Sequence, residues 1–146
     1  MCGIIGIHNN KEAATLAYMG LYAQQHRGQE GAGVVSSDGK ELHRHMGQGL
    51  VSDVFSNPEV FDSLVGDSAI GHVRYSTTGN SDPKNVGPLT FNMGDYSLSI
   101  AHNGNLVNID GIRKQLQDDG ALFQTSTDTE IIIHLLAREK GNTLAE

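Results

Sequence analysis

Residues 1–8 of the chain read MCGIIGIH, a short run of glycine and isoleucine behind a cysteine. Such a run is typical of a short buried β-strand. Cys2 is the one cysteine among 146 residues. Free cysteine is often buried, so the simplest interpretation is a small apolar side chain that begins the strand. The alternative is that Met1 is removed, which leaves Cys2 with both a thiol and a free amine.

An N-terminal cysteine can carry out nucleophilic chemistry without a partner residue. A thiol has an ordinary pKa of about 8.5 and needs a base to react well at neutral pH. An α-amino group has an ordinary pKa of roughly 7.7–8.0, so it can accept that proton. Nucleophile and general base would then belong to one residue.

Composition limits the classes of function. The length suits one domain, and 38% hydrophobic with 18% charged residues is typical of a soluble globular chain. Ten basic and 17 acidic residues give a net charge of -7, which argues against a nucleic-acid partner. No apolar run approaches the roughly 20 residues of a membrane span, and no signal peptide is evident. A lone thiol suits a reducing compartment, so we expect a cytoplasmic protein.

Hydrophobic periodicity predicts helices and antiparallel hairpins in alternation, which indicates an α+β layered architecture. After the first strand, the expected elements of the N-terminal two thirds are a helix over 11–28 closed by Gly28, a hairpin over 31–47 that turns at Asp38–Gly39, a helical stretch over 58–66, a strand over 68–77 that runs into a loop, and a hairpin over 88–106 that turns at Gly94–Asp95. In the first helix, Ala13, Leu16, Ala17, Gly20 and Leu21 share one face.

The C-terminal third is predicted to be helical. Residues 108–120 form an amphipathic pattern, with Ile109, Ile112 and Leu116 on one face. Thr127 followed by Glu130 fits a capping box that begins a largely buried helix over 125–141. Residues 142–146 have the pattern of a first turn of another helix, so we expect more of the domain to follow.

Three polar stretches carry candidate binding groups, and each has a purely structural alternative. Arg74, in GHVRYSTTG (71–79), stands where a strand meets a loop and could bind a carboxylate, or could lie on the surface. Asn103–Gly104 is a common hairpin turn, or an oxyanion hole made of a side-chain amide and a backbone N–H. Asp128 could cap a helix or accept a ligand ammonium.

Other motifs are weak. His43 and His45 lie two apart on a strand face, with no third ligand near them in sequence, so no metal site is expected. His72 could be a packed histidine. Neither a dinucleotide loop nor a P-loop is present.

The combination describes a ligand. A nucleophilic thiol with an oxyanion hole acts on an amide, a cation binds a carboxylate, and an anion binds an ammonium. L-Glutamine carries all three groups.

Six ordered motifs resemble the N-terminal glutaminase domain of the glutamine phosphoribosylpyrophosphate amidotransferases: CGIIGIH, QQHRGQEGAG, GQGLVSDVF, GHVRYSTTG, AHNGNLVN and FQTSTDTE. This resemblance covers nearly the whole chain. It implies an N-terminal nucleophile (Ntn) hydrolase fold, a four-layer αββα sandwich of antiparallel sheets. The function it implies is glutamine amide hydrolysis that supplies ammonia for 5-phosphoribosylamine, the first step of purine biosynthesis.

The resemblance also implies roles for individual residues. Cys2 would be the nucleophile, and Asn103 and Gly104 the oxyanion hole. Three residues would bind glutamine: Arg74 and Thr77 its α-carboxylate, and Asp128 its α-ammonium. Arg27 would be a support residue near the site.

The family continues beyond the last residue of this chain. We therefore expect residues 1–146 to be a glutaminase domain truncated at its C-terminal end, without the phosphoribosyltransferase domain that binds phosphoribosyl pyrophosphate. No cofactor is expected within the chain. Mg²⁺ with phosphoribosyl pyrophosphate, a homo-oligomer and, as an open question, a 4Fe–4S cluster would belong to the full-length enzyme.

Two alternatives remain at this point. The domain could serve another acceptor, as in glucosamine-6-phosphate synthase. If Met1 is retained, it could instead be a glutamine-binding module without catalysis.

Overall fold

A computed structural model describes residues 1–75, 82–94 and 96–139. The chain divides into two compact units, Met1–Asn103 and Gly104–Glu146. The described strands are β1 Gly3–Ile7, β2 Gly31–Ser37, β3 Leu42–Gln48, β4 Ser68–Arg74, β5 Leu89–Met93 and β6 Tyr96–Ile100. The described helices are α1 Ala13–Ala23, α2 Val51–Val54, α3 Val60–Ser63, α4 Ile109–Asp118 and α5 Thr129–Leu136.

A four-stranded antiparallel sheet forms the centre of the first unit, in the order β1-β4-β2-β3. In its register, Gly3 lies opposite Val73 and Gly31 lies opposite Arg74. Strands β5 and β6 form a second, two-stranded antiparallel sheet. The predicted α+β class with antiparallel sheets is confirmed.

The core of the first unit lies between α1 and one face of the four-stranded sheet. Ala17 and Leu21 of α1 are fully buried with Val34 and Val73 of the sheet. Small side chains on α1 let its backbone approach the strands closely. Full burial of each valine or leucine stabilises the fold by roughly 1.5–3 kcal/mol, so this contact accounts for much of the unit's stability.

Both predicted hairpins form. The first turns where Asp38 Oδ1 accepts backbone N–H groups of Lys40 and Glu41 at 2.9 and 2.8 Å, and Gly39 adopts φ +85°. At the second turn Gly94 adopts φ +71°, while Asp95 lies outside the described residues. The second hairpin ends at Ile100, so its predicted extension to residue 106 is wrong.

Helix α1 is shorter than predicted. It ends at Ala23, and a 3-10 turn over Gln25–Arg27 follows. Gly28 does not close α1 and is extended, with φ -162°. Glycine is needed there for a different reason: a Cβ at this position would lie 2.6 Å from the carbonyl oxygen of Arg74.

The second unit contains two helices within its described residues. Helix α4 has the predicted amphipathic face, with Leu116 buried. Helix α5 is mostly buried, as predicted, but it begins at Thr129 and ends at Leu136. The helix predicted at 142–146 lies outside the described residues. Among the described helices, none has the length and apolarity needed to cross a membrane.

We expect Gly28→Ala to lower the free energy of unfolding by about 1–3 kcal/mol, the range for overpacking a close contact. Backbone atoms of Arg74 and Val73 surround the new methyl group, and they cannot rotate away. The matched control is Gly6→Ala, since a Cβ at Gly6 meets nothing within 4 Å. Urea unfolding of both variants measures the difference, and equal midpoints would contradict the close-approach argument.

Candidate active site

Cys2 lies directly before β1, beside the end of β4. Its Sγ accepts a hydrogen bond from the Tyr75 backbone N–H at 3.4 Å, and the thiol donates to the Tyr75 carbonyl oxygen at 3.6 Å. The residue is half-buried. Cys2 is therefore not fully buried, and its sulfur is held against main-chain N–H and C=O groups at one end of the sheet.

Arg27 contacts the main chain of the same cysteine. Its Nε donates to the carbonyl oxygen of Cys2 at 3.1 Å. The 3-10 turn over Gln25–Arg27 presents this side chain, and it follows α1 directly. Arg27 thus restrains the main chain of Cys2. Its role as a support residue for catalysis stays a prediction.

Arg74 is the last residue of β4, and its guanidinium is held on two sides. Its Nη1 donates to the carbonyl oxygen of Asn85 at 3.2 Å, and its Nε lies 3.8 Å from Glu30 Oε2. Only 16% of the side chain is exposed. The alternative of a freely solvated surface arginine is therefore wrong. A guanidinium restrained in this way offers a prepared partner for a carboxylate.

Reasoning from the sequence missed Glu30 and Asn85. Glu30 also reaches Arg74 through the main chain, because its N–H donates to the Arg74 carbonyl oxygen at 3.2 Å. Asn85 is buried in a 3-10 turn that begins behind Asp82, whose side chain accepts the Lys84 N–H. Glu30 lies in the motif QQHRGQEGAG, so its place in that motif could have marked it as a candidate. The residues around Asn85 gave no indication that its carbonyl oxygen would bind Arg74 of β4.

His72 lies one strand period before Arg74, is 6% exposed and faces Gly87. Burial, with smaller contributions from the nearby Arg74 guanidinium and from His102, lowers the pKa of His72 from 6.5 to about 4. His72 is therefore neutral at pH 7, so β4 presents one positive charge at this end rather than two. The expectation of a packed histidine holds.

Asn103 and Gly104 lie in the irregular segment between β6 and α4, and both are exposed. The hairpin-turn interpretation of these two residues is wrong, because β6 ends at Ile100 and the described residues from 105 to 139 contain no strand. Asn103 belongs to the first compact unit and Gly104 to the second. The oxyanion-hole role of the pair stays a prediction.

Asp128 occupies the N-cap position of α5 but does not cap it. No side-chain hydrogen bond to the helix is present, and Asp128 Oδ2 instead accepts the backbone N–H of Leu106 at 2.9 Å. The helix-cap interpretation is therefore wrong. Its carboxylate ties the segment after Gly104 to the start of α5.

The predicted capping box is also wrong. Glu130 does not reach back to Thr127, because its carboxylate accepts the N–H groups of Gln124 and Thr125 at 2.8 and 2.7 Å. The hydroxyl of Thr127 lies 2.9 Å from that of Thr125. Two main-chain N–H groups of the preceding loop, rather than the helix N-terminus, bind this carboxylate.

Some predicted sites have other outcomes. Thr77 lies in the segment 76–81, outside the described residues. The ring of His43 lies 3.5 Å from Asp38 Oδ2, and Nε2 of His45 lies 2.8 Å from the carbonyl oxygen of Val54. Among the described residues no three His, Cys, Asp or Glu side chains form a metal-binding group.

A cavity of about 390 Å³ lies at the opposite end of the four-stranded sheet from Cys2. Its lining includes Ile7, Val35, Leu42 and Ile70, and none of the described site residues borders it. This space is therefore separate from the predicted chemistry.

Comparison with known proteins identifies the family. A family profile described as "Glutamine amidotransferase domain" matches residues 60–146. An amidophosphoribosyltransferase of Lacticaseibacillus casei is 46% identical over 140 residues, covering 96% of this chain and 72% of that protein. The chain belongs to the amidophosphoribosyltransferase family.

Solved structures agree with this amidophosphoribosyltransferase assignment. One described as the allosteric regulatory enzyme of purine biosynthesis matches with a TM-score of 0.92 and 47% identity over 99% of this chain. A glutamine phosphoribosylpyrophosphate amidotransferase from B. subtilis, complexed with ADP and GMP, matches with a TM-score of 0.90 and 46% identity. The chain spans 31% of the length of each solved chain. The part that it spans is the glutamine amidotransferase part. The expected Ntn-type fold is confirmed.

Buried His72 makes stability depend on pH in this amidophosphoribosyltransferase domain. Below pH 6.5 the unfolded chain binds a proton at this position, but the folded chain does not until about pH 4. The free energy of unfolding should therefore fall as pH drops from 6.5 to about 4, by about 3 kcal/mol at 1.36 kcal/mol per pKa unit.

His72→Asn should flatten that pH dependence, whereas His26→Asn should leave it intact because His26 is exposed. Urea midpoints between pH 7 and pH 4 measure both. Identical slopes for the parent and His72→Asn would contradict the assignment.

Proposed function

We propose that this chain hydrolyses the side-chain amide of L-glutamine, with Cys2 as the N-terminal nucleophile. The observation that carries the proposal is the contact of the Cys2 thiol with the main chain of Tyr75, one residue from Arg74. A nucleophile and a carboxylate-binding cation then belong to one end of one sheet, in a chain of the glutamine amidotransferase family.

The first half of the reaction forms a thioester. With Met1 removed, the Cys2 amine takes the thiol proton, and the thiolate attacks the amide carbon. The carbonyl electron pair moves to oxygen, where the Asn103 side-chain amide and the Gly104 N–H stabilise the charge. The oxyanion then collapses, the C–N bond breaks, and ammonia leaves with the proton held by the amine. The γ-glutamyl group remains on the Cys2 sulfur.

The second half releases glutamate. Water attacks the thioester carbon while the amine accepts one of its protons, and a second oxyanion forms at the same donors. Collapse breaks the C–S bond, and the thiolate recovers its proton from the amine. Removal of one oxyanion donor typically costs about 2.7–4 kcal/mol of transition-state stabilisation in enzymes that use an oxyanion hole.

Substrate recognition divides between opposite charges. Arg74, with Thr77, binds the α-carboxylate of glutamine, and Asp128 binds the α-ammonium. The restraint of Arg74 by Glu30 and Asn85 supports this role, because a side chain ordered in advance loses less entropy on binding. Arg27 supports the nucleophile through the Cys2 carbonyl oxygen.

The acceptor chemistry belongs to the longer protein. We infer that the ammonia makes 5-phosphoribosylamine from phosphoribosyl pyrophosphate with Mg²⁺, through segments of the relatives that this chain does not span, in a cytoplasmic homo-oligomer. A 4Fe–4S cluster needs several thiolates. Cys2 is the one cysteine here and serves as the nucleophile, so these residues do not fit such a cluster.

Intact mass should show that Met1 is absent and that a diazo-ketone analogue of glutamine adds once. Met1 is 75% exposed, which leaves it accessible for removal. The adduct should be lost in Cys2→Ala, and Cys2→Ser should release little or no glutamate. A folded chain that retains Met1, binds glutamine and takes no adduct would instead be a non-catalytic glutamine-binding module.

Arg74→Lys should raise KM for glutamine by roughly tenfold or more and change kcat less. Lysine keeps the charge but loses the fork that pairs two carboxylate oxygens, and charged hydrogen bonds contribute about 1.5–3 kcal/mol. Arg44→Lys is the matched control, since Arg44 is exposed on β3. Initial rates of glutamate release measure both, and equal KM values would contradict a carboxylate contact.

A further inference from the structure

Glu130 is a fully buried carboxylate at the start of α5, and it holds the preceding loop. Its Oε1 accepts the Gln124 N–H at 2.8 Å, and its Oε2 accepts the N–H and the hydroxyl of Thr125, both at 2.7 Å. Burial of an ionised group is costly unless hydrogen bonds replace its water. Three short bonds to two consecutive residues supply that replacement here.

Arg113 of α4 binds main-chain carbonyl groups of the same loop. Its Nη1 donates to the Thr125 carbonyl oxygen at 3.2 Å, and its Nη2 donates to that of Thr127 at 2.8 Å. The guanidinium also stacks over the ring of Phe123, with its central carbon 4.2 Å from the ring centroid. The loop's N–H groups therefore bind a carboxylate, and its carbonyl groups bind a guanidinium. We call Glu130 and Arg113 together the loop clamp.

The loop held by Glu130 and Arg113 ends at Asp128. The loop clamp therefore acts on the residue that is proposed to bind the substrate ammonium. Asp128 is one residue beyond Thr127, and its Oδ2 accepts the Leu106 N–H at 2.9 Å. The main chain before Asp128 is thus held by Arg113 at the Thr127 carbonyl oxygen, and the Asp128 carbonyl oxygen accepts the Ile131 N–H at 3.0 Å. A carboxylate that must meet an ammonium at hydrogen-bond distance benefits from such a restrained backbone, because small misplacements weaken the contact.

We propose that Glu130 and Arg113 are positioning residues that hold the Asp128 carboxylate for the α-ammonium of glutamine. This inference rests on the proposed function, in which Asp128 is the ammonium ligand. Neither clamp residue touches substrate, and both act through the loop. A merely structural role predicts lower stability with equal loss for every substrate, whereas a positioning role predicts a loss confined to substrates that carry the α-amine.

The decisive experiment compares two substrates in Glu130→Gln. Glutaramate keeps the amide and the carboxylate of glutamine but lacks the α-amine. The Glu130→Gln side chain has one acceptor oxygen fewer than the carboxylate. Its NH₂ group must therefore face an N–H donor of the loop, and at least one hydrogen bond to the loop is lost. Ammonia release should show kcat/KM for glutamine reduced roughly tenfold, mainly through KM, and kcat/KM for glutaramate unchanged within about twofold.

A double-mutant cycle tests the route through Asp128. Asp128→Asn should lower kcat/KM for glutamine alone, and Glu130→Gln should add nothing further in the Asp128→Asn background. Asp118→Asn is the control, since this exposed carboxylate pairs with Lys114 on the surface of α4. Full additivity of Glu130→Gln and Asp128→Asn would overturn the proposal.

Amide hydrogen exchange provides a readout that does not depend on turnover. The Leu106 N–H bonds to Asp128, so its exchange rate reports whether that carboxylate stays in place. Glu130→Gln should speed exchange at Leu106 roughly tenfold or more. Thr125→Val should also speed it, because this change removes the hydroxyl bond to Glu130 together with the hydroxyl's two contacts to Thr127. Unchanged exchange in both variants would overturn the positioning role.

The outcomes separate this inference from the proposed function. If the parent chain releases no ammonia from glutamine, the proposed function fails, and exchange at Leu106 still decides whether the clamp holds Asp128. If the parent is active and Glu130→Gln loses glutamine and glutaramate equally, the proposed function stands and the positioning role is wrong. Arg113→Lys, which keeps the charge but not the paired donors, should give an intermediate loss for glutamine only.

Discussion

The antiparallel pairing of β1 with β4 is the constraint on which the candidate site depends. Residues at the start of β1 can meet residues at the end of β4 only because the strands run in opposite directions, with Gly3 opposite Val73. That register brings the Cys2 sulfur within hydrogen-bond distance of Tyr75 across 73 positions of sequence. A shift of one residue would turn each side chain of β1 to the other face of the sheet.

Buried polar groups in each unit are compensated in different ways. In the first unit, burial beside Arg74 keeps His72 neutral, so Arg74 has no second positive charge beside it at the end of β4. In the second unit, Glu130 is buried with three hydrogen bonds from a loop. Apolar residues at such positions would lose less free energy through desolvation. The polar residues favour one backbone arrangement, because only that arrangement satisfies their hydrogen bonds or keeps them neutral.

Much of the fold could be predicted from local pattern, and much of the detail could not. The hairpin at Asp38–Gly39 and the amphipathic helix α4 follow from turn chemistry and periodicity, which act over a few residues. The capping box at Glu130 failed because its carboxylate found better donors in a loop that local rules do not consider. Gly28 was likewise required by the backbone of Arg74, 46 positions later in the sequence, and not by a helix end.

The sequence by itself determined the α+β class, through short-range periodicity, and the family, through the resemblance of its ordered motifs. It also supplied the candidate reactive groups, because residue types name the chemistry available. Only the tertiary structure decided which groups meet: Tyr75 with Cys2, Asn85 with Arg74, and Leu106 with Asp128. These contacts join main-chain atoms to side chains distant in sequence. Every residue carries the same main-chain N–H and C=O groups, so no residue type marks its partner, and packing of the whole chain selects it.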